Sequence, residues 1–471
     1  MTPQLPGIQL APLAGAVPVW RAGVDARQWR AGCEAAARAG GRLAALWASD
    51  ERDRGEGFNV KALLVLYEGL VCLELQLADA TPAYPDLSDL FACATRMQRA
   101  AYDLVGVVPQ GASDRRSWLR HAAWPENAFP LRHEFKAEEK YPLKEDRYPF
   151  VRVEGEGVHE IPVGPVHAGT IEPGHFRFSI VGEKVLRLEE RLGYKHKGIE
   201  KRFESMTLEE GARLAGRVSG DSTVAYAWAY AMALEGMTGA RPSARALHLR
   251  ALLLERERVA NHLGDLGYLG NDCALAFGFS QFWRMKEDML RSNTRVFGHR
   301  YLMDRVVPGG VACDVDSASA QAMIAEALQL KDELRTLRSI YYNHAGLQDR
   351  CITTGRLLPA TAARLGIVGL AARASGHAMD ARVHPGFAPY DELQPKIASH
   401  RNGDVAARIV VRFEEAFESL RLQRLILQNL PQGALRAPVG EPAEGSFGIG
   451  WIEGWRGEVL VALEAGRGGG V

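Results

Sequence analysis

Residues 164–178 read GPVHAGTIEPGHFRF, and residues 192–201 read LGYKHKGIEK. The first stretch sets His167, Glu172 and His175 in a loop rich in Gly and Pro, and loops of that kind hold polar groups at the rim of a cleft. Behind it, Phe176, Phe178 and Ile180 alternate with polar residues as far as Gly182-Glu183, and Leu186 and Leu188 follow. A period of two on both sides of a Gly turn predicts a β-hairpin.

From this hairpin toward the C-terminus the pattern turns helical, over residues 205–430. Residues 245–266 carry Leu252, Val259, Leu263 and Leu266 on one face at helical spacing, and residues 318–342, 362–374 and 404–430 repeat the signal. Residues 446–463 return to strand, with Ile449, Trp451 and Val459-Leu460-Val461 around a turn at Arg456-Gly457. The tail GRGGGV has the composition of a frayed end. Toward the N-terminus, Pro125, Pro130, Pro142, Pro149, Pro162 and Pro165 stand among many charges, which blocks helices and central strands and marks a linker. Before it, residues 25–47 read as a helix capped by Asp25, residues 58–78 as a hairpin with one solvated face, and residues 86–104 as a helix. The expected fold class is α+β. A small α+β domain over 1–124 and a linker over 125–163 precede a mainly helical domain with peripheral β-hairpins over 164–471.

Composition excludes several functions. Lys plus Arg and Asp plus Glu both number 57, so the chain lacks the basic excess of a nucleic-acid binder. The most apolar stretch, residues 62–77, is broken by Glu68, Gly69, Glu74 and Gln76, whereas a membrane span needs roughly 20 mostly apolar residues. The N-terminus has no positive charge ahead of its apolar part and makes a poor signal peptide. Any membrane contact is therefore expected through partners. Six cysteines are scattered with no CxxC pair, the usage of buried thiols in a reducing compartment rather than of a zinc or iron–sulfur site.

The two opening stretches resemble the entry to the active-site domain of group 4, energy-converting nickel–iron hydrogenases and of their relative, the D-type, quinone-pocket subunit of complex I. Residues 257–262, ERVANH, resemble that superfamily's Glu-Arg-x-x-Asn-His helix, and Pro308-Gly309-Gly310-Val311 its glycine turn. Arg373-Ala374-Ser375-Gly376, Asp380-Ala381-Arg382, Tyr390, Gly403-Asp404-Val405 and Arg408 follow in family order, and Glu453-Gly454-Trp455-Arg456-Gly457-Glu458 resembles the terminal Arg-Gly turn. Gln98-Arg99 with Asp103 and Gly106 resembles, more weakly, the C-type subunit that complex I places beside the quinone-pocket one, so the chain looks like a fusion of the two.

One motif departs from the hydrogenase pattern. Hydrogenases take part of their metal ligation from Arg-x-Cys-Gly-x-Cys, and here residues 217–222 read RVSGDS. Serine hydroxyls are hard and protonated at neutral pH and do not replace thiolates for low-valent nickel or iron. The second cysteine pair, in Asp-Pro-Cys-x-x-Cys, has no counterpart before Val471, so no metal is expected. The resemblance then implies an active-site-type subunit of a membrane-associated, NADH–quinone oxidoreductase-like complex. Quinone and NAD binding belong to the functions of such an assembly, and electron transfer is coupled to ion translocation. No cofactor is expected in this chain. The iron–sulfur cluster belongs to a small partner subunit, membrane antiporter-like subunits are the other partners, and the expected place is the cytoplasmic face of the cell membrane.

The same resemblance assigns Arg217, Ser219, Gly220, Ser222 and Arg456 to the former metal cavity, as groups lining a quinone site, with Glu172 as proton carrier and His167 and His175 as hydrogen-bond donors. Each has a plain structural reading beside it: a salt bridge for Glu172, loop histidines for His167 and His175, and space filling for the serines. Two rival functions stay open, a formate-hydrogenlyase-type nickel–iron hydrogenase and a non-catalytic scaffold of such a complex.

Overall fold

The computed structural model describes residues 2–78, 82–136, 138–142, 144–145, 147–167 and 172–466; residues 467–471 of the Gly-rich tail and residues 168–171 of the His167 loop lie outside them. The architecture is α+β. A five-stranded sheet forms the N-terminal part, in the order β1 (Ala11–Leu13), β2 (Val19–Val24), β5 (Leu70–Leu77), β4 (Phe58–Val65), β3 (Arg42–Asp50), with β2 and β5 parallel and the other neighbours antiparallel. Helix α1 (Ala26–Arg38) begins at Asp25, whose carboxylate accepts from Gln28 N at 2.7 Å while the Gln28 side chain accepts from Asp25 N, a capping box contributing about 1 kcal/mol.

The helix expected to reach Trp47 ends nine residues earlier, and residues 42–50 are strand β3. Gly40 at φ +78° closes the helix, and at Gly41 the chain runs so near Ala36 O and Val65 O that a Cβ would sit 2.9 and 3.0 Å from them. The solvated face expected for the 58–78 hairpin is covered too. One face of the sheet packs on Trp29, Cys33 and Ala36 of α1, and on α2 (Ala94–Val105). The other puts Leu63, Val65, Leu70 and Cys72 into the core of the large helical part, where Lys61 meets Glu464 at 2.9 Å and Arg21 covers the Phe447 ring. Glu74, which suggested a wet face, is itself buried and held by Arg21 at 2.7 Å. Asp103 organises the segment after α2 by accepting from Trp118 N and Leu119 N at 2.6 and 2.7 Å. A short parallel pair, β6 (Ala83–Pro85) and β7 (Val108–Gln110), completes this part.

The Pro-rich stretch carries no helix among its described residues and ends in β8 (His159–Val163), the outer strand of a three-stranded sheet with β9 (His175–Val181) and β10 (Lys184–Arg191). Pro162 is tolerated there because β8 is an edge. Helices α3 (Ile199–Phe203) and α4 (Leu208–Ala215) lead to α5 (Thr223–Thr238), which is buried nearly all round. It lies between the hairpin β13 (Phe447–Glu453)–β14 (Glu458–Glu464) and the long helix α6 (Ala244–Asp272). Helix α6 packs in turn on α7 (Ala276–Phe297) and α13 (Val405–Gln428), and α8 (Ser317–Asn343) on α13. The glycine turn is the ribbon β11 (Val306–Val307)–β12 (Gly310–Val311), and α9 (Ala345–Cys351), α10 (Pro359–Leu365), α11 (Gly369–Ala374) and α12 (Tyr390–Leu393) link α8 to α13. The single helix expected over 362–374 is two, because Gly366 at φ +64° ends α10.

Candidate functional site

The RVSGDS segment is the loop that feeds α5, and Asp221 is its hub. Its carboxylate accepts from Ser219 Oγ at 2.5 Å, from Ser222 Oγ at 3.4 Å and from Arg456 Nη2 at 2.5 Å, while its backbone carbonyl accepts from Asn261 Nδ2 at 2.7 Å. Arg456 reaches it from the β13–β14 turn, lying over the Trp455 ring at 4.6 Å. Gly220 and Asp221 then form the wall of a cavity of about 20 Å³, room for one water, whose other lining includes Glu257, Asn261, Lys286 and Arg300. Arg217 does not join this hub. Its guanidinium makes a bidentate pair with Asp304 at 2.6 and 2.7 Å.

The histidines have other partners. His167 Nε2 bonds the Gly174 carbonyl at 2.6 Å. His175 Nδ1 lies 3.4 Å from Gly164 O, its ring beside Phe150, and its buried Nε2 has no hydrogen-bond partner among the described residues. Glu172 is exposed. No hydrogen bond or ion pair among the described residues joins His167, Glu172 or His175 to the Asp221 hub. The link that exists comes from the second opening stretch, where Lys197 Nζ donates to Val218 O at 2.8 Å. The structure thus brings Ser219, Gly220, Ser222 and Arg456 together, and leaves Arg217 and the histidine loop on separate partners.

Sequence reading missed the group that governs the interior of the site. Glu257, on α6, is buried, and its two carboxylate oxygens accept from Val224 N at 2.6 Å and Ala225 N at 3.2 Å, the free amides of the first turn of α5. Burial pushes its carboxyl up to about 8, the two backbone bonds oppose this, and Asp221 adds to the rise. Lys286, half-buried on α7, is lowered by burial against the pull of Asp221 and Asp265. A signal existed: residues 255–258 read ERER inside a helix flanked by leucines, so some of those charges had to be inside.

A pH test follows. Between the ordinary Glu value of 4.5 and about 8, native Glu257 keeps a proton that the unfolded chain releases, so this residue makes stability fall as pH rises through that window, by up to about 1.4 kcal/mol per pH unit. Glu257→Gln has no proton to keep. Urea midpoints from pH 5 to 8 should show the variant gaining on the wild type as pH rises; parallel curves would contradict the assignment.

Deeper still lies a second set of charges. Glu255 takes bonds from Arg382 at 2.9 Å and Tyr390 at 2.7 Å, Asp380 pairs with Arg382 at 2.6 Å, and Glu415 pairs with Arg258 at 2.8 Å and Arg373 at 2.7 Å. Arg373 also holds Glu453 at 2.7 Å, and Arg258 donates to Gly454 O at 2.6 Å, which anchors the base of the Arg456 turn. His262 Nε2 lies 3.1 Å from Glu415 Oε2, though off the line of a good hydrogen bond. Glu255 and His262, seven residues apart on α6, belong to one network through Arg258 and Glu415.

Known proteins share this arrangement of two parts. Residues 272–443 match the family model of the respiratory-chain NADH dehydrogenase 49 Kd subunit, and residues 22–141 that of its 30 Kd subunit. Formate hydrogenlyase subunit 5 of Escherichia coli (strain K12) is 30% identical over 427 residues, covering 89% of this chain and 75% of that protein. The chain belongs to the superfamily of complex I 49 Kd-type subunits and group 4 hydrogenase large subunits, joined to a 30 Kd-type domain. The C/D subunit of the NADH-quinone oxidoreductase of Phocaeicola vulgatus has the same two-part make-up in its name and is 27% identical over 405 residues, 82% of this chain and 78% of that one. A chain of the membrane-bound sulfane sulfur reductase, an archaeal respiratory membrane complex, shares the fold with a TM-score of 0.62 at 22% identity, over 67% of this chain and 86% of that chain.

A nickel–iron centre, which hydrogenase members of the superfamily imply, does not fit the donors of this loop. The hydroxyls at 219 and 222 are hydrogen-bonded to Asp221, and a protonated hydroxyl is no substitute for a thiolate. Among the described residues, no group of three or more His, Cys, Asp or Glu is arranged to hold a metal ion, and no helix is long and apolar enough to cross a membrane.

Proposed function

We propose that this chain is the quinone-site subunit of a membrane-associated, complex I-like or hydrogenase-related oxidoreductase, and that the ring of the quinone sits on the rim formed by Gly220, Asp221 and Arg456. The observation that carries the reading is the hub at Asp221. A polar, charge-paired rim stands where hydrogenase relatives keep soft ligands, and Arg456, anchored on one side only, has further donors for a ring carbonyl. A ring does not enter a space of one water, so it stays outside the cavity, with a partner subunit closing the far side. Electrons arrive from the iron–sulfur cluster of a small partner subunit. Exposed Ile161, Val163, Val185, Leu186 and Leu188 on the β8–β10 sheet supply an apolar face for a partner of this kind. Membrane contact runs through antiporter-like subunits on the cytoplasmic face, and Glu172, exposed on its loop, carries protons from solvent to the quinone side.

The test is Arg456→Ala in the assembled complex. Losing a charge-assisted bond to the carbonyl costs about 1.5–3 kcal/mol, so quinone-linked turnover should fall about tenfold or more, with subunit assembly unchanged on a sizing column. The small volume behind the rim also suits a scaffold subunit that keeps the fold for assembly alone. Unchanged turnover in Arg456→Ala would put that reading ahead.

A further inference from the structure

Glu257 has features that a structural cap does not need. A cap for α5 is already at hand in Ser222, the N-cap residue, yet its hydroxyl turns to Asp221 instead and the amides of Val224 and Ala225 go to a glutamate from another helix. That glutamate borders the one-water cavity that Asp221 walls on the rim side and Lys286 on the α7 side. Lys286 has no carboxylate within 4 Å among the described residues; its ammonium lies over the Trp283 ring at 5.2 Å. Arg300, the other cation of the cavity, is already held by Glu287 at 2.7 and 3.0 Å, and Arg258 on Glu257's own helix by Glu415. A carboxyl in this setting can take either form. Neutral, it is suited to its burial; ionised, it is held by two amides of a helix N-terminus with Lys286 opposite.

We infer that Glu257 is the proton-holding acid of this site, exchanging its proton with Asp221 at the rim through the water-sized space between them. The inference deepens the quinone reading and rests on it for its direction of flow. In that direction the O–H bond of Glu257 breaks and an O–H bond forms on the cavity water, which hands a proton through Asp221 to an oxygen of the reduced quinone. The electrons come from the partner's cluster, and Glu257 regains a proton from solvent after the quinol leaves.

Glutamine separates this role from capping. Glu257→Gln keeps an acceptor oxygen for Val224 N and Ala225 N but cannot titrate. Two measurements on the assembled complex decide the matter. In infrared difference spectra across pH 6 to 10, the wild type should show a carbonyl component of a buried protonated carboxyl that disappears at high pH, is absent from Glu257→Gln and is retained in Glu453→Gln. Quinone-linked kcat should fall at least tenfold in Glu257→Gln, with KM for the quinone little changed and partial recovery in Glu257→Asp. A wild-type spectrum without that band, or a Gln variant that turns over like the wild type, overturns the proposal. If the wild-type complex shows no quinone-linked turnover at all, the quinone reading fails instead, and the infrared arm still decides whether Glu257 holds the proton.

Discussion

Arg373→Met is expected to cost about 3–5 kcal/mol, enough to lower the soluble yield of folded chain severely. Arg373 is fully buried, and its guanidinium spans two carboxylates, Glu415 on α13 and Glu453 on β13, as well as the Met379 carbonyl. The set around it has four carboxylates, Glu255, Asp380, Glu415 and Glu453, against three guanidinium groups, Arg258, Arg373 and Arg382. One negative charge is therefore in excess. Burial pushes the Glu453 carboxyl up to about 7, against the pull of Arg373. Burial acts on Glu415 as well, but Arg373 and Arg258, both bonded to it, override it and hold Glu415 well below the usual carboxylate range. Removing Arg373 leaves Glu415 with one cation fewer and Glu453 with none at bonding distance from its side chain among the described residues. The same logic makes Glu453→Gln mild on its own, since burial already favours the protonated form at that position. In the Arg373→Met background it should recover part of the loss. Urea midpoints of the four members of this cycle measure it; a cost under 1 kcal/mol for Arg373→Met would contradict this view of the network.

Gly369→Ala is expected to be the most damaging change of a single methyl group near the site. Gly369 has φ +64° and packs directly under the terminal turn, where an added Cβ would lie 1.9 Å from Arg456 O and 2.4 Å from Gly457 Cα. The left-handed backbone alone costs an alanine about 1 kcal/mol, and contact with backbone atoms cannot be relieved by a rotamer, so a total of about 3 kcal/mol is expected. The turn has to move, and with it the guanidinium of Arg456 leaves Asp221. Gly369→Ala should therefore lose both melting temperature and quinone-linked turnover, whereas Arg456→Ala loses turnover with little change in melting. Equal melting temperatures for Gly369→Ala and the wild type would show that the turn is not pinned from below.

What the residues disclosed, and what they hid, follows from the range of the interactions. Helices α6, α8 and α13 were legible because apolar spacing is local, and the hairpins β9–β10 and β13–β14 because alternation breaks at Gly182 and Gly457. The strand β3 was hidden behind an Ala- and Arg-rich run that suits either state, and only the Gly40-Gly41 pair marked the boundary. The burial of both faces of β4 and β5 was invisible because the second cover comes from α5 and β13, well over a hundred residues away. At the candidate site, the motif at 217–222 and the Arg456 turn were both legible, and in the structure Arg456 meets that loop at Asp221. The partner that joins them, Asp221, sat inside the quoted motif as an unassigned position. Glu257 and Arg373 were likewise present in motifs, but their chemistry is set by Val224, Glu415 and Glu453, which lie 33, 42 and 80 residues away in sequence.

Whether the rim of Gly220, Asp221 and Arg456 receives a quinone is decided by photolabelling the assembled complex with an azido-quinone, followed by peptide mapping. Label is expected on the peptides carrying residues 217–222 and 453–457, reduced by excess unlabelled quinone and weakened in Arg456→Ala. Label confined to other segments, or label on these that excess quinone does not displace, would contradict a quinone at this rim.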